Sequence, residues 1–266
     1  MTRVLSGGVL LLLAIGLVWF APAVVFFTAA EALLVAAFVE YAALARASGL
    51  PVPGVPAGTA AALTCAAFAP LAPGGIPWAP SDVVLMSAVV ALGALTLTQW
   101  RGGGDALGLA SASIFPSLYL GLPIGAMIAI RAARGREALF LLMLTVFVSD
   151  TAQYYSGRAF GRRPLAARIS PKKTIEGAVG GFVFGGIVMA IVGAWWLPTV
   201  PLGLRAALGV SVVALGIAGD LFESMLKRSA GVKDSSALIP GHGGVLDRID
   251  ALLFAAPVYY IVLQYV

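Results

Sequence analysis

The sequence predicts an all-α, polytopic integral membrane protein of about nine transmembrane helices, with a polar cavity at the cytoplasmic side. Three observations predict it. Of 266 residues, 60% are hydrophobic and 11% charged, against roughly 25% charged in an ordinary soluble domain, and the mean hydropathy is +0.98. The apolar residues fall in runs near the roughly 20 residues that a helix needs to cross a hydrocarbon core of about 30 Å. The remaining charge gathers in a few short stretches between those runs, and the length leaves no room for a sizeable soluble domain.

The spans are expected near residues 4–21, 23–45, 57–72, 83–100, 106–130, 137–156, 177–197, 204–226 and 249–266. The start, Met1-Thr2-Arg3 followed by VLSGGVLLLLAIGLVWFAPA, resembles a secretory leader. Its apolar run continues past Ala23, however, which is longer than a leader's core and suits a first span retained in the protein. Glu31 and Glu40 lie nine apart in the second span, facing a cavity or the interface. The linkers GLPVPGVPAG, PLAPGGIPWAPSD and RGGGD carry the Gly and Pro that end helices. RGGGD lacks the following Lys-Ser/Thr and the strand of a phosphate-cradling loop, so it reads as a turn. Gly177, Gly181 and Gly185, spaced by four in the seventh span, read as a surface for close helix approach. No internal repeat stands out, which weakens a transporter built from inverted halves. We treat residues 1–135 and 136–266 as the N- and C-terminal parts of one continuous membrane domain.

Cys65, the one cysteine, has no partner for an internal disulfide and excludes a cysteine-ligated metal site. The net charge of +5 suits anionic lipid or an anionic substrate. Because the basic residues sit between spans and not on a soluble face, nucleic acid is not an expected partner. With the N-terminus inside, all of the 17 Lys and Arg except Arg131, Arg134, Arg136 and Arg205 face the cytoplasm, as the excess of positive charge in cytoplasmic loops requires. The RAARGR cluster at 131–136 is the misfit. The two long polar loops, 157–176 and 227–248, are separated by two spans and share one face.

Three stretches carry chemistry. In GDLFESMLKR, Gly219 to Arg228, helical spacing puts Asp220, Glu223 or Ser224, and Lys227 on one face, acidic within the membrane and basic at its edge. Intramembrane carboxylates are costly and face a partner or a water-filled space; a structural pair with a neighbouring cation is the plainer reading. In KRSAGVKDSSALIPGHGGVLDRID, residues 227–250, the cations Lys227, Arg228, Lys233 and Arg248 suit phosphate oxygens, and Asp234, Asp247 and Asp250 are hard oxygen donors suited to Mg²⁺. Asp247 and Asp250, three apart as the last span begins, are expected in one site with Asp220. The run Gly241-His242-Gly243-Gly244 is able to turn backbone N–H groups toward an anion. In SDTAQYYSGRAFGRRPLAARISPKKTIEG, Asp150 is a membrane-embedded carboxylate, with Tyr154 four residues on, and Ser170, Lys172, Lys173 and Thr174 precede Glu176.

Ser224-x-x-Lys227-Arg228, then Lys233-Asp234, then Pro240-x-His242-Gly243-Gly244-x-x-Asp247-Arg248-x-Asp250 resembles the signature of the phosphatidate cytidylyltransferases, the CDP-diacylglycerol synthases. DTAQYYSGRAFGRR and ISPKKTIEG also resemble the bacterial members, so the likeness runs from about residue 150 to 250. Ala152-Gln153 stands where Gly-Ala is expected, and Ile175 where Trp is common. The resemblance implies transfer of CMP from CTP to phosphatidic acid with Mg²⁺, in phospholipid biosynthesis at the inner membrane, the site facing the cytoplasm. It implies Asp220, Asp247 and Asp250 as metal ligands, with Asp150 beside them. It also implies Lys227, Arg228, Lys233, Arg248, Lys172 and Lys173 on the substrates' phosphates, Ser224 at the substrate and His242 on a phosphate or in a structural hydrogen bond. The glycine-rich spans are compatible with a homodimer. The alternative from another class is a transporter or channel for an anion or divalent cation. The Asp-Gly-x-x-Ala-Arg pattern of CDP-alcohol phosphotransferases is absent from the sequence.

Overall fold

The computed structural model describes residues 2–70, 77–100, 102, 104–239, 241 and 243–266. Among them are nine α-helices: α1 (Thr2–Phe20), α2 (Ala23–Ala47), α3 (Gly54–Ala66), α4 (Ser81–Gln99), α5 (Ala106–Pro116), α6 (Leu122–Phe160), α7 (Ile175–Trp196), α8 (Leu202–Ser229) and α9 (Leu246–Gln264). A π-helical turn, Ser117–Gly121, joins α5 to α6. It lies between Pro116 and Pro123, neither of which has an N–H to give to the regular ladder. The long polar loop at 161–174 holds a two-stranded antiparallel hairpin, β1 (Pro164–Ala166) with β2 (Ser170–Thr174), within the stretch that the sequence marks as a polar loop between spans.

Local chemistry sets several boundaries. Arg46 lies in the last turn of α2, favourable to the helix dipole, and Gly49 follows at φ 82°. The Asp105 side chain accepts from the Gly108 N–H at 2.7 Å to open α5, and Thr174 accepts from the Gly177 N–H at 3.1 Å to open α7. Gly102 and Gly104, both at positive φ, give RGGGD its turn; Arg101 and Gly103 lie outside the described residues.

Among the described residues, five helical stretches are long and apolar enough to cross a membrane: Ala23–Ala47, Ser81–Thr98, Ala106–Phe160, Ile175–Trp196 and Leu202–Ser229. The third has 55 residues, about 80 Å if straight, far more than one crossing needs. It bends at Gly135, whose φ of 88° is open to glycine. The bend reverses the chain along α9. On one side of it Tyr119 meets Phe254 and Arg134 reaches the Leu263 carbonyl; on the other, the Tyr259 hydroxyl donates to the Ala138 carbonyl at 3.0 Å and Asp150 comes near Asp250. The stretch therefore contains the two spans expected at 106–130 and 137–156. The expected span at 57–72 is a helix of 13 residues, too short to cross alone, and residues 71–76 lie outside the described set.

The arginines that misfit the charge rule satisfy helix ends. Arg131 donates to the carbonyls of Val18 at 3.0 Å and Ala21 at 2.5 Å, Arg136 to Trp19 at 3.0 Å, and Arg134 to Leu263. These are carbonyls at the C-terminal ends of α1 and α9, which have no partner within their own helices. Trp19, Phe140 and Trp196 stack edge-on beside them, joining α1, α6 and α7. The core between the two ends includes the fully buried Leu34, Leu120, Ile124, Leu139, Leu142, Leu246, Leu253 and Tyr259.

Candidate active site

At the end of the bundle away from the arginines, α6, β2, α8 and α9 bring four charged side chains together. Asp150 comes from α6, Asp220 from α8, Asp250 from α9 and Lys173 from β2. Asp150 and Asp250 each feel the charge of Asp220 and of Lys173, Asp250 feels that of Asp150 as well, and Arg248 acts on Asp150. Lys173 makes an ion pair with Asp220. Gln153, one turn beyond Asp150, donates to its Oδ1 at 2.9 Å, and the Ser224 hydroxyl leans toward Asp220 Oδ1 at 3.4 Å. Asp250 Oδ1 accepts from the Ala251 N–H at 2.8 Å. The close approach of α8 to α9 depends on Gly219, where a Cβ would run into the Asp250 carbonyl oxygen.

A second group adjoins the first through Glu223, which is fully buried and feels both Asp247 and Asp250. Lys227, 8% exposed, pairs with Glu223 and with Asp247 Oδ1. The other oxygen of Asp247 accepts from the Gly244 N–H at 2.8 Å, the Ser235 N–H at 3.0 Å and the Ser235 hydroxyl at 2.8 Å. Gly241 and Gly243, both at φ 75°, fold the loop back so that the Ile239 N–H reaches the Gly243 carbonyl at 2.9 Å. Glu40, from α2, closes this group: its carboxylate accepts from the hydroxyls of Ser235 and Ser236 at 2.8 and 2.6 Å and from the N–H groups of Val245 and Leu246 at 2.9 and 2.8 Å.

The residues singled out from the sequence thus fall in three places. Asp150, Asp220, Asp250, Ser224 and Lys173 share one group. Asp247 and Lys227 sit in the adjoining one, with both Asp247 oxygens engaged and the Lys227 charge committed to carboxylates. Lys172, Arg228, Lys233, Asp234 and Arg248 are exposed around them, Arg228 donating to the Val232 carbonyl at 3.1 Å. His242 and Pro240 lie outside the described residues. Sequence reasoning passed over Ser235 and did not choose Glu40. Glu223 was legible as part of the Asp220–Lys227 face, whereas Glu40 stands 195 residues from its first partner with nothing local to mark it. Gly177, Gly181 and Gly185 serve close packing of α7: a Cβ on Gly177 would lie 2.8 Å from the Gln153 carbonyl oxygen, and one on Gly181 2.6 Å from Gln153 Cγ.

Among the described residues no three His, Cys, Asp or Glu side chains are gathered tightly enough to enclose a metal ion. The donor set of Asp150, Asp220 and Asp250 nevertheless fits a hard cation. It offers carboxylate oxygens alone, the ligands Mg²⁺ prefers.

The sequence model of the Cytidylyltransferase family matches residues 1–266. Among curated proteins, a phosphatidate cytidylyltransferase of Aquifex aeolicus is 42% identical over 127 residues, 47% of this chain and 46% of that protein. One of Haemophilus influenzae is 47% identical over 131 residues, 46% of this chain and 45% of its own length. One of Brucella suis is 39% identical over 176 residues, 63% and 60% of the two chains. The chain spans about half the length of the first two relatives and somewhat more of the third.

Proposed function

The chain belongs to the cytidylyltransferase family, and from that membership we propose that it transfers CMP from CTP to phosphatidic acid, forming CDP-diacylglycerol and pyrophosphate. An oxygen of the phosphatidate phosphate attacks the α-phosphorus of CTP; the new O–P bond forms as the bond to the β-phosphate oxygen breaks, and pyrophosphate leaves. The two substrates bring several negative charges together, since a phosphate monoester alone carries about −1.5 to −2 at neutral pH. The nucleophile is already an oxyanion and needs no strong base. What the protein must supply is position and charge compensation, and a site rich in cations and carboxylates but poor in nucleophiles suits that demand.

A Mg²⁺ ion held there would supply positive charge against the phosphates. Asp220 and Asp250 are its first candidate ligands, with Asp150 beside them and Asp247 next in reach. Lys173, paired with Asp220 in this structure, would hold a substrate phosphate. The exposed Lys172, Arg228, Lys233 and Arg248 would bind the triphosphate and the leaving pyrophosphate, and His242 belongs with them in this reading. Lys227 would reach substrate only by leaving Glu223 and Asp247, so its role is to hold that pair; Ser224 steadies Asp220. The acyl chains enter sideways from the inner leaflet, and the head group meets CTP in a polar cavity at the cytoplasmic face of the inner membrane. Homodimer formation is part of the same proposal. The transporter alternative gains no support from the comparisons.

The observation that carries the reading is the meeting of Asp150, Asp220, Asp250 and Lys173 at one end of a chain whose family match is complete. Its test is product formation by purified protein in detergent with phosphatidate and Mg²⁺ and either CTP, ATP or no nucleotide. CDP-lipid and pyrophosphate should appear with CTP alone, and both should vanish on chelation and in Asp220→Asn. Near-normal turnover by a folded Asp220→Asn would overturn the assignment of that carboxylate.

A further inference from the structure

Glu40 is 4% exposed, and none of the ion pairs among the described residues gives it a cation. A buried carboxylate in that position is costly unless donors compensate it, and here four hydrogen bonds do so. Two come from Val245 and Leu246, N–H groups at the start of α9 that have no carbonyl partner within the helix. The partial positive charge of a helix N-terminus favours a carboxylate there. Glu40 therefore caps α9 from another helix. The other two come from Ser235 and Ser236, at the far side of the loop. One carboxylate thus ties both ends of the segment 235–246 to α2.

The Ser235 hydroxyl lies 2.8 Å from Glu40 Oε2 and 2.8 Å from Asp247 Oδ2, so it links the two acids, although its single proton serves one at a time. A Cβ on Gly244 would collide with both Ser235 Oγ and the Glu40 carboxylate, which is why glycine is needed there. Fixing the first turn of α9 fixes Asp247 directly and Asp250 one turn further on.

We propose that Glu40 is a positioning residue for the active site: from the N-terminal part of the chain it sets the register of α9's first turn and of the loop before it, and through them the placement of Asp247 and Asp250. It touches neither substrate nor reacting atoms in this account. The proposal rests on the reading of the site as a cytidylyltransferase centre, but its geometry can be tested without that reading.

The experiment combines hydrogen exchange and kinetics on purified protein in detergent, comparing wild type with Glu40→Gln and Glu40→Asp. A glutamine keeps the size but puts an NH₂ where two of the four donors need an acceptor. In Glu40→Gln, amides of the 235–247 segment should exchange faster while peptides of α7 and the first half of α8 stay as protected as in wild type. Turnover should fall by about 10- to 100-fold, the range for partners that orient a site, with the KM for CTP much less affected. Glu40→Asp, which keeps the charge, should recover part of both. Unchanged exchange in 235–247 with turnover within about threefold of wild type would overturn the proposal, as would loss of protection spread over the whole molecule, which would make Glu40 a general support of the fold. Wild type lacking activity would sink the cytidylyltransferase reading, and the exchange data would still decide whether Glu40 holds the loop.

Discussion

At the scale of single residues, Lys227 is the position whose expected and observed surroundings differ most. Its place in the 227–250 stretch suggests a hand for phosphate, yet its ammonium lies between Glu223 and Asp247, with Glu223 fully buried. Removing one member of a buried charge group leaves the others uncompensated, at a cost of roughly 3–5 kcal/mol. Lys227→Met should therefore lower the thermal midpoint of the substrate-free protein in detergent. An unchanged midpoint together with a raised KM for CTP would return Lys227 to direct phosphate binding. Much of this site was legible: Asp150, Asp220, Asp247 and Asp250 are carboxylates where apolar side chains are the norm, and such residues declare themselves. Glu40 obeys the same rule and was seen. Its function was not legible because its four donors are supplied by residues 195 to 206 positions later, two of them backbone groups that no side-chain pattern reveals.

At the scale of elements, α7 shows how glycine sets a helix spacing that the site depends on. Gly181 faces Gln153 and Ser149 of α6, and Gly185 faces Val213 of α8, where a Cβ would lie 2.5 Å from Val213 Cγ2. Gly186, the next residue, has open space where its Cβ would be. Forcing a large side chain into a packed contact costs about 1–3 kcal/mol, and displacing α6 moves Asp150 relative to Asp220 on α8 and Asp250 on α9. Gly181→Leu should thus lower both the thermal midpoint and turnover, whereas Gly186→Leu should leave both near wild type; equal effects of the two substitutions would remove the packing argument. The four-residue spacing made this surface readable in advance. The hairpin of β1 and β2 was not readable, since strands of three and five residues carry too little alternation to stand out from a basic loop. The bend at Gly135 was half readable: the arginines around it were recognised as anomalous, but that they satisfy carbonyls of α1 and α9 follows only from the assembled bundle.

At the scale of the whole molecule, the two ends of the bundle have different tasks, and their chemistry predicts how they lie across a membrane. One end gathers the carboxylates, the hairpin and the 230–245 loop. The other gathers Arg131, Arg134 and Arg136, whose charges are spent on helix carbonyls and on the rings of Phe26 and Trp19. Cations held in this way are no guide to sidedness in the manner of a free basic loop, so the cluster need not oppose the excess of positive charge at the other end. Consequently Arg168 in the hairpin and Lys233 in the loop should lie on one side, and Ala132 by the bend on the other. Single cysteines at these positions, in a Cys65→Ala background and in membrane vesicles of known orientation, should show it with a thiol reagent that does not cross the bilayer. Cysteines at 168 and 233 should label together, from the cytoplasmic side, and a cysteine at 132 only from the opposite side or after the membrane is opened. Labelling of 168 and 233 from opposite sides would break the topology that brings Lys173 to Asp220, because Lys173 lies in the hairpin and Asp220 near the end of α8 that leads into the loop holding Lys233.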